Sequence, residues 1–465
     1  MPDSPARRPQ TVVIGASAAG LLAAAALTDV SDVTLIERDA LPTGSEHRRG
    51  VPQSHHAHLV WSGGVSALTQ LLPGVVDEMV AEGARLAHIM GDMVSRAPNE
   101  IWFRRFTSTP HRNLVCSRPL LDAVLRARIL DDKRITVRQN TTALRLAGDA
   151  TRITGVHSRT GNEENTLTAD LVIDASGRGS HTPQWLEELG LPRVTEREVD
   201  AGVAYATRLF KAPGTSGDTN FPLINVQANP EKAPGQGGII LPIEDGRWIV
   251  TLSGTRGGEP PKAPDAFLDF ALNLGDPIIG ELLKNAEPLS QVTTTRSTAN
   301  HRRYYEKMPR WPDGFAVLGD AIAGYNPVYG HGLTVAAQGA LALRETLNRT
   351  NITEPGTARR IQRAVARPAA VAWDLAVGQD ARYPGATDTQ PTAIERILAR
   401  YVDRCVATGA RNPRALSALL DVMSMEKPPT RLFSRDILVP MILGPKRPHL
   451  QGPPLAESER RASLT

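Results

Sequence analysis

Apolar residues along the chain follow two rhythms. Thr11 to Ile14 and Val33 to Ile36 are short, continuously apolar runs, the pattern of strands buried on both faces. Between them, Leu21 to Thr28 is alanine-rich and predicts a helix lying close on the sheet. Strand, helix and strand in that order read as a right-handed βαβ unit. Farther along, Val203 to Phe210, Leu223 to Ala228, Gly238 to Ile243 and Trp248 to Ser253 show half-buried alternation, separated by Gly and Pro turns. Consecutive strands without a helix between them predict an antiparallel sheet. Gly314 to Gly319 reads as another buried strand and Leu333 to Leu347 as a long helix. Helical patterns dominate after about residue 355, including Thr392 to Thr408 and Pro413 to Met425. Pro445 to Thr465 is rich in Pro and charge and is expected to fray.

These elements predict an α/β fold with three parts. A discontinuous Rossmann-like dinucleotide-binding domain covers 1–90, 111–195 and 296–350. An antiparallel-sheet domain facing the substrate covers 91–110 and 196–295, and a helical region covers 351–465. A chain of 465 residues can bury a core of that size without staples. The two cysteines, Cys116 and Cys405, exclude a secreted disulfide framework and suit a reducing cytoplasm. Net charge is +4, with no run of five Lys or Arg, so a nucleic-acid-binding face is not expected. Thr11 to Val30 is apolar and follows Arg7 and Arg8, which mimics a signal peptide or membrane span. Gly15, Gly20 and the following Glu37 fit a buried strand–turn–helix instead, so no stable membrane insertion is expected.

Three segments carry candidate chemistry. Gly15-Ala16-Ser17-Ala18-Ala19-Gly20 sits between the first strand and helix. Gly15 permits a tight turn, and Gly20 lets the helix approach the strand. The helix start then offers N–H groups and a positive dipole end to a pyrophosphate. Ser17 stands where a glycine is usual, and its side chain is small enough for close approach. Glu37 ends the second strand, where a carboxylate can accept hydrogen bonds from a ribose. Arg38 beside it suits either a 2′-phosphate partner or, for FAD, packing on the adenine. The second segment runs from Gly319-Asp320 through Pro327-Val328-Tyr329-Gly330-His331-Gly332. Asp320 can hold the hydroxyls of a flavin ribityl chain. The loop before the next helix brings backbone N–H groups to the flavin, favouring its reduced anion. His331 lies inside that loop and is a candidate sensor of flavin charge. The third segment, Asp170 to Ser180, is a buried strand ending in a small polar turn. His55, His56 and His58 lack acidic or cysteine partners at ligand spacing, so no metal is expected.

Taken in this order, the motifs resemble the group A flavin monooxygenases with the para-hydroxybenzoate hydroxylase fold, over about residues 10 to 350. Arg48-Arg49-Gly50-Val51 is similar to that family's R-x-G-V segment, and the resemblance places Arg48 beside the flavin. Arg118 looks like its second arginine, near the FAD pyrophosphate and ribityl chain. The longer run through Gln53, His56 and His58 is similar to the flavin epoxidases of polyether-antibiotic biosynthesis, of the lasalocid and monensin type. So are Tyr205 to Phe210, Asn220 to Pro222 and Pro242 to Thr251. This resemblance implies FAD as cofactor, NAD(P)H as electron donor, directly or through a flavin reductase, and O2. It further implies a flavin C4a-hydroperoxide that epoxidises an apolar polyene or polyketide, free or bound to a carrier protein. No catalytic acid or base follows from it, because the cofactor carries the chemistry. An aromatic hydroxylase shares the fold and intermediate. A halogenase should show a Trp-x-Trp-x-Ile-Pro segment, which Arg247-Trp248-Ile249-Val250 does not supply. A flavin-dependent double-bond reductase and a non-enzymatic binding protein are the remaining readings.

Overall fold

The computed structural model describes residues 7–217, 220–296, 298–389, 391–444 and 447–464. Its centre is a five-stranded parallel sheet. The strand order is Phe315–Val317, Leu171–Asp174, Gln10–Ile14, Asp32–Ile36 and Ile135–Arg138. The helix Ala18–Leu27 follows the first strand, with Leu21, Leu22, Ala23, Ala24 and Leu27 all buried. A helix apolar on every side belongs inside the molecule, and this one is flanked by the helices Arg118–Leu130 and Gly332–Leu347. The helix Arg118–Leu130 starts where it does because the Ser117 hydroxyl accepts from the Leu120 N–H, with Pro119 in the first turn.

A second sheet has seven strands. Its path runs Glu287–Pro288, Ala204–Lys211, Arg247–Gly254, Gln236–Ile243, Leu223–Val226 and Met93–Arg96, with Thr293–Thr295 also on Ala204–Lys211. The four expected strands form its middle and pair antiparallel, Leu209 opposite Ile249 and Ile240 opposite Val250. Met93–Arg96 joins parallel to Leu223–Val226, so the sheet is mixed. Half-buried strands were expected, but Arg247–Gly254 is covered on both faces. Ile240, Val250 and Leu252 pack with Trp248 and Phe267, under the helices Pro264–Leu272 and Ile278–Leu283. Leu241 and Ile249 pack on the other face against Leu416, Leu419 and Ile437 of the C-terminal helices.

Strands Thr141–Gly148, Ile153–Thr160 and Glu163–Thr168 form a separate antiparallel sheet that the hydrophobic pattern does not announce. Its outer strand reads EENTLT and is exposed along nearly its whole length, so no apolar alternation marks it. Beyond residue 355 come the helices Thr357–Asp380, Ala393–Gly409 and Pro413–Met423. Thr392 and Glu395 close a capping box on the second of these. The tail was expected to fray. Its described part instead contains the helix Glu457–Leu464, because Glu459 pairs with Arg105 at 2.7 Å. Pro445, Lys446 and Thr465 of that stretch lie outside the described residues. No helix among the described residues is long and apolar enough to cross a membrane.

Candidate functional site

Gly15 has φ +97°, and a Cβ there would stand 2.8 Å from the Ala175 carbonyl oxygen. Gly20 is tighter: a Cβ would meet the Gly15 carbonyl oxygen at 1.8 Å. Both glycines are therefore required by backbone contact, and together they bring the start of the helix Ala18–Leu27 down onto the strand end. Ser17 occupies the N-cap of that helix, yet its hydroxyl does not cap it. It accepts from Arg118 Nη2 at 3.2 Å, while Arg118 Nε donates to Asp122 at 2.8 Å. The helix's first-turn N–H groups, on Ala18 and Ala19 among others, have no acceptor within the helix, which is what makes such a terminus an anion site.

Spacing had given Glu37 to a ribose. In the structure Glu37 Oε2 accepts from the Ala16 N–H at 2.8 Å and pairs with Arg48 at 2.8 Å, and Oε1 accepts from the Asp39 N–H at 3.1 Å. Arg48 also donates to the Ala16 carbonyl at 2.7 Å. The two charged side chains are thus buried together beneath the glycine turn, and the Arg48 Nε is left without an acceptor. Arg38 and Gln53 are exposed: Arg38 lies 3.8 Å from Asp39, and Gln53 sits in the short 3-10 helix Pro52–His55.

The second motif meets the first directly. Gly319 has φ +65°, and a Cβ there would come within 2.7 Å of the Ala19 side chain. Asp320 follows, partly buried. Nothing among the described residues donates to its carboxylate. Burial raises its pKa, opposed by the nearby charges of Arg178 and Arg118. Arg118 therefore stands between the Gly15–Gly20 turn and Asp320. The loop continues as a 3-10 turn, Pro327–Tyr329, closed by Gly330 at φ +67°. Trp61 Nε1 donates to the Tyr329 carbonyl at 3.0 Å, and the outer sides of Pro327 and Val328 are exposed. A Cβ on Gly332 would meet nothing within 4 Å, so the next helix starts against open space.

His331 does not face that space. Its Nε2 donates to the Met423 carbonyl at 3.0 Å, and its ring lies over Trp61. Burial lowers its pKa to about 4, so it stays neutral and anchors the loop to the helix Pro413–Met423, which corrects the expected sensor role. His56 bonds to Thr207 at 2.7 Å, which bonds to Thr251 at 2.7 Å, tying the Arg48–His58 segment to the sheet. Burial and then His55 lower His56 to about 4. Burial and then Arg118 lower His58 to about 3.

These histidines set a pH dependence. The unfolded chain protonates them near pH 6.5, whereas folded His331 resists protonation until about pH 4. The unfolded state binds more protons in that window, so stability falls as pH drops through it. In His331→Gln, which keeps an N–H for Met423 but cannot titrate, the fall in urea midpoint between pH 6.5 and 4 should be shallower than in the native chain. Equal slopes would refute the assignment.

Sequence reasoning missed several residues at this site. Asp174, fully buried, accepts from the Ser176 N–H at 2.9 Å and from the Ser180 and Thr182 hydroxyls, which shapes the third motif's turn. Arg178 donates to the carbonyls of Ala299 and Tyr325, pinning the approach to the Pro327–Gly330 loop. The acid–amide cluster around Asp380 was also missed. The Asp170–Ser180 run carried the sequence signal for Asp174 and Arg178, and Tyr205 and Tyr329 lay in recognised motifs, but nothing marked Asp380 itself.

Residues 8–378 match the family described as FAD binding domain. The chain belongs to that FAD-binding family. It is 32% identical over 387 residues to Protein Rv3254 of Mycobacterium tuberculosis, covering 81% of each chain. The flavin-dependent brominase Bmp2 shares its fold with TM-score 0.64 and 15% identity, over 90% of this chain and 93% of that one. The p-nitrophenol 4-monooxygenase PnpA of Pseudomonas putida does so with TM-score 0.61 and 15% identity, over 91% and 98%. The fold is thus the one expected, a Rossmann-like FAD-binding layer joined to a largely antiparallel sheet and C-terminal helices. The residues fit FAD on structural grounds. Gly15 and Gly20 let backbone approach a pyrophosphate. The Arg48 Nε has no hydrogen-bond partner and no described residue donates to the Asp320 carboxylate, a donor and an acceptor that a bound group could meet.

Proposed function

We propose that this protein is an FAD-dependent monooxygenase that epoxidises an alkene of a small apolar natural-product intermediate. One atom of O2 goes to the alkene and the other to water, with NAD(P)H supplying two electrons directly or through a separate flavin reductase. The observation that carries this reading is the meeting of Gly319-Asp320 with the Gly15–Gly20 turn beside an apolar sheet face. Leu209, Ile239, Leu241 and Ile249 on that face share one cluster with Ala57, Leu59 and Trp61 of the cofactor layer. These named side chains are apolar, which suits a polyene better than a phenolate.

Bound FAD supplies the redox and oxygen-activating chemistry. The chain's residues bind, orient and exclude water. The first turn of the helix Ala18–Leu27, with Arg118, would hold the pyrophosphate, and Asp320 would accept from ribityl hydroxyls. Pro327 and Val328 would lie against the flavin ring. The C-terminal helices cover the sheet, and closing the site from water protects a reactive oxygen donor. His56, neutral above about pH 4, hydrogen-bonds to Thr207 on the substrate side of the sheet without adding charge. Both cysteines are free and buried, which suits a reducing cytoplasm. A carrier-protein-bound polyketide is compatible with this chemistry.

Incubation with FAD, NAD(P)H, a flavin reductase and a panel of polyenes under 18O2 tests the proposal. Mass spectrometry should show one labelled oxygen per event, in a product that acid opens to a diol. Labelled phenols, or chloride or bromide incorporation, would replace the epoxidase reading with hydroxylation or halogenation.

A further inference from the structure

One carboxylate, Asp380, joins four parts of the molecule that are remote in sequence. Its Oδ2 accepts from Asn300 Nδ2 at 2.6 Å and from Asn326 Nδ2 at 2.9 Å, and its Oδ1 accepts from the Tyr329 hydroxyl at 2.5 Å. The network continues outward. Asn326 Oδ1 accepts from the Tyr205 hydroxyl and from the Val328 N–H, and Asn300 Oδ1 accepts from the Asn326 N–H at 2.8 Å. Tyr205 belongs to the substrate-side strand Ala204–Lys211, Asn300 to the strand Asn300–Arg303, and Asn326 and Tyr329 to the flavin loop. Asp380 ends the 24-residue helix Thr357–Asp380.

This is a costly place for an acid. Asp380 is 2% exposed and forms no ion pair among the described residues. A carboxylate also opposes the negative end of its own helix dipole. Burial raises its pKa, and the charge of Asp200 adds to that, while the Tyr329, Asn326 and Asn300 donors act against both. Stability alone would be served as well by an apolar cluster replacing Asp380 together with the groups that donate to it. Two of the three groups that Asp380 holds flank Pro327 and Val328, the residues set against the flavin ring.

We propose that Asp380 is a positioning residue for the flavin: it fixes the Asn326–Gly330 loop in the shape that would receive the ring, and its negative charge behind that loop tunes the flavin's reduction potential. This rests on the FAD reading above. Asn326 and Tyr329 act as its two arms, and Tyr205 transmits the loop's position to the substrate-side sheet.

The test compares native protein with Asp380→Asn and Tyr329→Phe by fluorescence titration with FAD and by dye-equilibrated reductive titration of the holoprotein. Tyr329→Phe removes one charge-assisted hydrogen bond and should weaken FAD binding about tenfold. Asp380→Asn should weaken it further and make the flavin easier to reduce, because a negative charge behind the ring opposes formation of its reduced anion. Native affinity and potential in both variants would overturn the proposal, as would a lower melting temperature with both unchanged, which marks a merely structural role. If Asp380→Asn does not fold, Tyr329→Phe decides by itself, since its ring remains to fill the site. A native chain that takes up no FAD would overturn the FAD reading together with this one. A native chain that binds FAD beside variants that bind it equally well overturns this proposal alone.

Discussion

Gly20→Ala is expected to abolish FAD retention and to destabilise the protein by roughly 1–3 kcal/mol. The new methyl would stand 1.8 Å from the Gly15 carbonyl oxygen, a backbone atom that cannot swing aside. The helix Ala18–Leu27 must then lift from the strand Gln10–Ile14, and its N-terminus moves away from the pyrophosphate. Because that helix is buried between two others, the displacement also disturbs the core. Gly179→Ala is the matched control, since a Cβ there meets nothing within 4 Å. Urea unfolding and absorbance near 450 nm after desalting with excess FAD check both halves. A Gly20→Ala protein as yellow and as stable as the control would contradict the proposed packing.

Arg48→Met has the largest expected effect on stability. Glu37 and Arg48 side chains are 7% and 4% exposed, and removing the cation leaves a buried carboxylate uncompensated. Losses of about 3–5 kcal/mol accompany such half-broken pairs, whereas replacing both partners restores much of the loss. The double variant Glu37→Gln, Arg48→Met should therefore be more stable than Arg48→Met alone. Urea midpoints of the three proteins decide it. A single variant within about 1 kcal/mol of native would show that the pair is solvated in solution.

Much of the fold was legible because its strands are apolar at the period their environment demands. The runs at Thr11, Val33 and Gly314 sit in a sheet buried on both faces, and such strands need no partner to be recognised. The middle strands of the second sheet were equally visible, since Gly and Pro punctuate them. What escaped was structure with weak apolar content or long-range cause. The exposed strand Glu163–Thr168 has almost nothing to bury. Met93–Arg96 joins its sheet through a partner about 130 residues away, at Leu223–Val226, with a parallel pairing that no turn announces.

The site divides along the same line. Gly15, Gly20 and Gly319 are local backbone requirements at strand ends, legible from their motifs, and the fold brings Gly319-Asp320 against Ala19 of the first turn. Glu37 was read as a ribose acceptor at the strand end, whereas it is buried on the Ala16 and Asp39 N–H groups and on Arg48, which arrives from a loop whose path spacing does not encode. His331 was given to the flavin for lying in the loop, yet its side chain turns to a carbonyl on a helix that begins 82 residues later. Asp380 had no sequence signal at all, because a lone acid at a helix end looks like solvated surface until the fold surrounds it with two amides and a phenol.

The most direct measurement is the stoichiometry of FAD uptake by the purified, otherwise unmodified chain, followed by quenching of flavin fluorescence. The account requires saturation at one FAD per polypeptide, with a sharp loss of affinity in Asp320→Ala. A titration that never saturates, or an Asp320→Ala protein that binds as tightly as the native one, would mean that the glycine turn and the distant aspartate do not share a cofactor.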